Sequence, residues 1–209
     1  MQRLDRVVLS GRHVRLAPLR FEHAEALLRV ADESRATYAF QTVATSLPAM
    51  REFARAGLDE EERGVSLPFA VLDALGNVVG TTRYMAIEWW RWPGPPPEPV
   101  PRGPEVLEIG WTWYAERVQR TGVNTEAKLL LCTHAFETLG VRRVSWKTDA
   151  RNARSRAAIL RLGARFDGIL RAHKVAADGG VRDSAFFSML AAEWQGAKEG
   201  LERRLAERG

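Results

Sequence analysis

The stretch best suited to chemistry is Gln119-Arg120-Thr121-Gly122-Val123-Asn124-Thr125. It stands directly ahead of a run that is apolar nearly all round: Ala127, Leu129, Leu130, Leu131, Ala135, Phe136 and Leu139. Residues that enter a helix present backbone N–H groups with no intrahelical acceptor, together with the positive end of the helix dipole. That combination is a ready site for phosphate. Gly122 lets the backbone fold closely toward a ligand, Asn124 tolerates unusual φ, and Arg117 and Arg120 can add charge. Taken alone, a glycine ahead of a helix also fits an ordinary turn. Other chemistries find no support. The Gly-Lys-Ser/Thr ending of a nucleotide P-loop and the three-glycine dinucleotide fingerprint are missing. There is no Gly-x-Ser-x-Gly elbow and no His-Glu-x-x-His. The single cysteine, Cys132, excludes an internal disulfide or a cysteine-based zinc cluster.

The elements that must position this stretch follow from periodicity. His13 to Leu19 alternates as a first strand, with Pro18 near its end. Glu22 to Asp32 and Pro48 to Glu62 have the patterns of helices, the first one-sided, the second opened by Pro48 and followed by Gly64. Between them Ser34–Leu47 is irregular, with Tyr38 and Phe40 as pocket candidates. Pro68 to Leu72 and Val78 to Ile87 are strands joined by the turn Asp73-Ala74-Leu75-Gly76-Asn77. Val106 to Tyr114 is a strand with Leu107, Ile109, Trp111 and Trp113 on one face and Glu108, Gly110 and Thr112 on the other. Thr125 to Leu139 is a buried helix stopped at Gly140. Arg143 to Thr148 is a strand, and Asn152 caps a helix from Ala153 to Leu162. Arg165 to Val175 and Arg182 to Leu190 form a hairpin around Asp178-Gly179-Gly180, and a charged helical tail occupies residues 191–209. Seven prolines between Pro93 and Pro104, preceded by Trp89, Trp90 and Trp92, exclude regular structure and predict a flap between two strands.

This order of elements resembles the GNAT acyltransferase superfamily, and within it the RimJ/RimL-like N-acetyltransferases. The resemblance runs from about Arg12 to Glu193. It is carried by His13-Val14-Arg15-Leu16-Ala17-Pro18-Leu19, Leu107-Glu108-Ile109-Gly110-Trp111, Gln119 through Ala127, Asp149-Ala150-Arg151-Asn152-Ala153-Arg154-Ser155, and Leu162-Gly163-Ala164. It implies one α/β domain of α+β type, with a mixed, largely antiparallel twisted sheet flanked by helices. It also implies an acetyl-CoA site and no metal. Gln119, Arg120, Thr121, Gly122, Val123 and Asn124 would hold the pyrophosphate, although Asn124 stands where the family has a small residue. The pantetheine arm would enter a splay between the strands Val106–Tyr114 and Arg143–Thr148 and meet Asn152. Glu108 is the implied general base, since an amine must lose a proton before it attacks. Gly110 marks a bulge able to offer a backbone N–H to the thioester carbonyl. Ile159 stands where many members carry a tyrosine acid, which leaves Ser155 as the proton donor to the departing thiolate, with Tyr114 as a distant alternative.

The resulting expectation is a cytoplasmic enzyme that moves an acetyl group from acetyl-CoA to a primary amine, on a protein N-terminus or a small molecule, by direct attack. The departures at Asn124 and Ile159 keep open a CoA-binding sensor without turnover. Lys+Arg of 31 against Asp+Glu of 26 gives a net charge of +5, which alone would admit a nucleic-acid binder. The charges are scattered, so no nucleic-acid partner is expected. No membrane partner is expected either, because no stretch approaches about 18 consecutive apolar residues. The tail and the tryptophan cluster could form a homodimer contact. His134 and Cys132 are read as packed in the buried helix, and His173 as a solvated strand position, with the acceptor groove as its alternative.

Overall fold

The computed structural model describes residues 2–207. Its strands are β1 (Leu9–Ser10), β2 (Val14–Pro18), β3 (Ser66–Asp73), β4 (Val78–Glu88), β5 (Val106–Tyr114), β6 (Arg143–Asp149), β7 (Arg165–Val175) and β8 (Val181–Leu190). They form one sheet in the order β1-β2-β3-β4-β5-β6-β8-β7. Every pairing is antiparallel except that of β5 with β6. A parallel pair needs a long crossover. The crossover is α3 (Gly122–Thr133), continued by wider π-type turns over His134–Leu139 and ended by Gly140 at φ 72°. Before the sheet centre come α1 (His23–Ala31) and α2 (Leu47–Glu62), and after it α4 (Ala153–Leu160) and α5 (Ala191–Ala206).

The sheet separates two apolar clusters. One joins Val14, Leu16, Leu107, Ile109, Val144, Trp146 and Phe187 to α3 and α5. The other joins Leu19, Leu27, Met50, Ala70 and Trp113 between the sheet and α1 and α2. Ser46 caps α2 by accepting from the Ala49 N–H at 3.4 Å, with Pro48 in the first turn where no N–H is needed. At the C-terminus Trp194 of α5 stacks on Phe136 at 5.4 Å and donates to Glu137 at 2.8 Å. One stripe of the tail, with Trp194 and Leu201 buried, thereby packs on α3 and its continuation. Residues 208 and 209 of the expected tail lie outside the described residues.

The strict alternation expected in β5 fails at Trp111. Arg83 of β4 pairs with Gly110 and Thr81 pairs with Trp113, so two residues, Trp111 and Thr112, oppose Thr82 alone. Trp111 takes φ 49°. The extra residue of such a bulge exchanges the faces of everything beyond it. Leu107 and Ile109 point toward α3, whereas Trp113 joins the α1/α2 cluster against Tyr38, and Trp111 lies 5.9 Å from Phe53 of α2. Tyr38 is therefore packed, its hydroxyl donating to the Tyr114 carbonyl at 3.0 Å, and does not line an open pocket.

The proline segment lies between β4 and β5 as a flap, tied down at both ends. The buried Glu105 carboxylate accepts from Trp90 N at 2.8 Å and Trp92 Nε1 at 3.0 Å. Arg102 N and Gly103 N both donate to the Leu139 carbonyl at 2.8 Å, and a Cβ at Gly103 would stand 2.9 Å from the Leu139 side chain.

Candidate active site

The parallel pairing of β5 and β6 is short. Val106, Leu107 and Glu108 face Arg143, Val144 and Ser145, and there the pairing ends, although β5 runs on to Tyr114 and β6 to Asp149. The sheet opens at its middle, immediately past Glu108. The turn ahead of α3 lies at the far end of β5, reached through a 3-10 turn over Glu116–Val118.

That turn is shorter than the sequence pattern implied, because α3 starts at Gly122. Thr121 is its N-cap, accepting from Val123 N at 3.3 Å and donating to the Val118 carbonyl at 2.6 Å. Gly122, Val123 and Asn124 thus form the first helical turn, where N–H groups lack intrahelical acceptors. Gly122 has a reason of its own to be glycine: a Cβ there would stand 3.2 Å from the His13 ring. Gln119 crosses the opening, donating from Nε2 to the Tyr114 carbonyl at 2.9 Å and accepting from Arg154 of α4 at 2.5 Å. This joins the end of β5 to the first turn of α4, where Asn152 Oδ1 caps the helix at Ser155 N, 2.9 Å away. Arg117 pairs with Glu33 instead of facing the turn.

Glu108 is 5% exposed and ion-paired to Lys147 of β6, Nζ to Oε2 2.5 Å. Its hydrogen bond goes to Lys147 and not to Ser155, which is held at its N–H by Asn152. Gly110 keeps the space beside this carboxylate clear, since a Cβ would meet Met85 Sδ at 2.7 Å and Glu108 Oε1 at 3.1 Å. The bulge lies at Trp111 and Thr112, one residue past the expected Gly110. Tyr114 is an unsuitable proton donor, because complete burial pushes its phenol far above the ordinary range. Two surface hollows of about 420 Å³, one lined by Arg29, Asn77 and Arg117 and one by Leu4, Leu58 and Glu62, touch neither Glu108 nor the first turn of α3.

Three charged residues escaped the sequence reading. Glu126 accepts from Arg12 N at 2.8 Å, His13 N at 2.6 Å and Val14 N at 2.8 Å, clasping the β1–β2 turn to α3, and Gly11 is needed because a Cβ would lie 2.3 Å from the carboxyl carbon. Lys128, 4% exposed, donates to Thr112 Oγ1 at 2.7 Å and Thr82 Oγ1 at 3.2 Å, with no carboxylate partner among the described residues. Desolvation pulls its ammonium down to about 7, and the neighbouring Cys132 thiol is pushed up to about 12. An acid and a base inside an otherwise apolar helix were the available signal. Lys147 gave none, since an alternating strand carries lysines on its solvent face as a rule.

A broken parallel pair at the centre of a mostly antiparallel sheet, with a capped helix beginning at its open end, defines an acyltransferase of the GNAT type. The family model described as Acetyltransferase (GNAT) domain matches residues 13–165, and the chain belongs to that family. Among solved structures it is similar to a GCN5-related N-acetyltransferase from Brucella melitensis, with 31% identity, TM-score 0.80, and 97% of this chain and 87% of that one covered. The fold is shared with Mycobacterium smegmatis RimJ, solved in complex with CoA-disulfide, at 21% identity and TM-score 0.76 over 97% of this chain and 94% of that one. A protein named as a ribosomal N-acetyltransferase, YdaF of Bacillus subtilis (strain 168), is 35% identical over 91 residues, 44% of this chain. That match spans 49% of the relative's own length.

Proposed function

We propose that the chain transfers an acetyl group from acetyl-CoA to a primary amine in one direct displacement. The observation that carries this reading is the opening of the sheet directly past a buried carboxylate, with a capped helix N-terminus at the same opening. The residues present fit the donor. The N–H groups of Gly122 and Asn124 in the first turn of α3 suit a diphosphate, and Val123, whose own N–H goes to Thr121 Oγ1, continues that turn. Gln119, Arg120 and Thr121 shape the approach, and Asn152 stands at the start of α4 on the other side. When bound, acetyl-CoA supplies an activated thioester.

The chain's own contribution is proton handling and orientation. Glu108 accepts the proton of the incoming ammonium, directly or through one water. The amine nitrogen then forms a bond to the acyl carbon as the carbon–sulfur bond breaks. As the amide forms, the nitrogen gives up its second proton, and Ser155 on α4, or water, relays a proton to the departing thiolate and is itself restored by that one. The acceptor is an amine on a protein or a small molecule, and the name borne by the Bacillus relative supports a protein amino terminus.

Calorimetry with acetyl-CoA and with free CoA tests the donor site. Thiol detection with a panel of amines tests transfer. Binding of both nucleotides and amine-dependent thiol release are expected. Absent binding would end the reading, and binding without thiol release with any amine would leave a CoA sensor in its place.

A further inference from the structure

The face of the sheet that carries Glu108 is covered unevenly. Helices α1 and α2 pack over β3 and β4, while β7 at the far edge is exposed along nearly its whole length. The open part bears a concentration of positive charge. On β6, Lys147 lies opposite Phe186 of β8, its Nζ 5.9 Å from that ring, and Asp149 lies opposite Ser184. Arg182 lies opposite Lys174 of β7. Arg182 Nε donates to Ser184 Oγ at 2.9 Å, and His173 Nδ1 is 2.9 Å from the same oxygen.

Little on this face compensates these cations. Glu108 is held by Lys147, and Asp149 by Arg151 at 2.8 Å. Arg151 also pairs with Asp178 at 2.7 Å, and Asp167 of β7 accepts from Ser188 Oγ at 2.8 Å at the other end of the hairpin. Among the described residues, Lys174 and Arg182 have no ion pair. Their crowding is felt locally: desolvation first, then the charges of Lys147 and Arg182, lowers the proton affinity of Lys174, which Glu108 only partly restores. The proton affinity of His173 is lowered by desolvation first and then by Lys174, Lys147 and Arg182.

We propose that this uncovered half-face is the acceptor wall and selects peptide amines that carry an acidic side chain within their first few residues, Lys174 and Arg182 taking the anion while Glu108 takes the amine's proton. The inference rests on the acetyl-transfer reading. An acceptor amine arrives as a cation and must lose its proton, and neighbouring positive charge lowers the affinity of the amine for that proton. The same charge repels a cationic acceptor, unless the acceptor carries an anion that the wall can hold. A neutral peptide gains neither attraction nor steering, and a basic one is excluded.

Three peptides of one length, with an N-terminal serine followed by two glutamates, two glutamines or two lysines, test this by thiol release. The expected order of kcat/KM is acidic, neutral, basic, with about tenfold between neighbours, roughly one ion-pair-sized step each. The spread should shrink as salt rises from 50 to 500 mM, a range over which screening shortens strongly. The double variant Lys174→Glu, Arg182→Glu, verified as folded by thermal unfolding, should reverse the order. Equal rates for the three peptides, or a preference for the basic one in the unaltered protein, would overturn the acceptor wall and leave acetyl transfer standing. Acetyl-CoA binding without thiol release with any of the three, while a small amine is turned over, would also overturn it. No acetyl-CoA binding at all would instead remove the parent reading.

Discussion

Two lysines meet β5 from opposite faces of the sheet, and they are solvated in opposite ways. Lys147 reaches Glu108 on the open face and makes an ion pair of 2.5 Å beside solvent. Lys128 reaches Thr112 from under α3 and finds only two hydroxyls. The first pair exchanges hydration for an opposite charge. The second gives up hydration for neutral dipoles, and the cationic form pays in proton affinity. What separates the two environments on one strand is the bulge at Trp111, which turns Thr112 toward the helix and Trp111 toward Phe53 and Arg83.

The contrast breaks most visibly at the open face. Glu108→Gln keeps the shape and removes the base, so turnover at neutral pH should fall by about 10²–10⁴-fold while acetyl-CoA binding by calorimetry is retained. Unchanged turnover would remove the base assignment. Lys147→Met leaves Glu108 buried without its counter-ion. Because Lys147 is partly exposed, the cost should sit near or below the lower end for broken buried pairs, about 2–3 kcal/mol in urea unfolding.

Lys128→Met sharpens the other side. Its folded pKa lies near 7 against about 10.4 for an ordinary lysine, so between those values the unfolded chain holds a proton that the folded chain has released. Stability of the unaltered protein therefore rises with pH from about 7 to about 10, by at most about 1.4 kcal/mol per unit. Below 7 both states are protonated and the penalty is constant. The methionine variant should lose that slope and be at least as stable at pH 6, since it buries no charge and Thr82 and Thr112 still bond to each other at 2.8 Å. A slope that survives the substitution would assign it elsewhere. The smallest effect is expected at the helix cap: Thr121→Ala should cost about 1 kcal/mol. It should also weaken acetyl-CoA binding, measured by calorimetry, by loosening the first turn of α3.

Much of this arrangement was legible in the residues. Alternation fixed β5 at Val106–Tyr114, and the apolar run of α3, the Asn152 cap and the proline flap all lie where patterning put them. The bulge was expected at Gly110, one residue early, but its effect on the faces was not legible: alternation assumes an unbroken period of two, and one inserted residue at Trp111 moved Trp113 and Thr112 to the faces opposite those expected. The start of α3 was placed three residues late, because glycine and asparagine weigh against helix until the Thr121 cap and the His13 ring are seen beside them. At the candidate site Glu108 could be named from the motif. Its partner could not, because pairing across β5 and β6 joins residues 39 positions apart. The partition of positive charge onto one half-face likewise depends on a β7–β8 register that only the folded chain displays.

The clasp at Glu126 sets a condition on biosynthesis. Its carboxylate gathers backbone donors from 112 to 114 positions upstream. A nascent chain emerging amino end first therefore exposes its opening hairpin well before the acid that fastens it has been made.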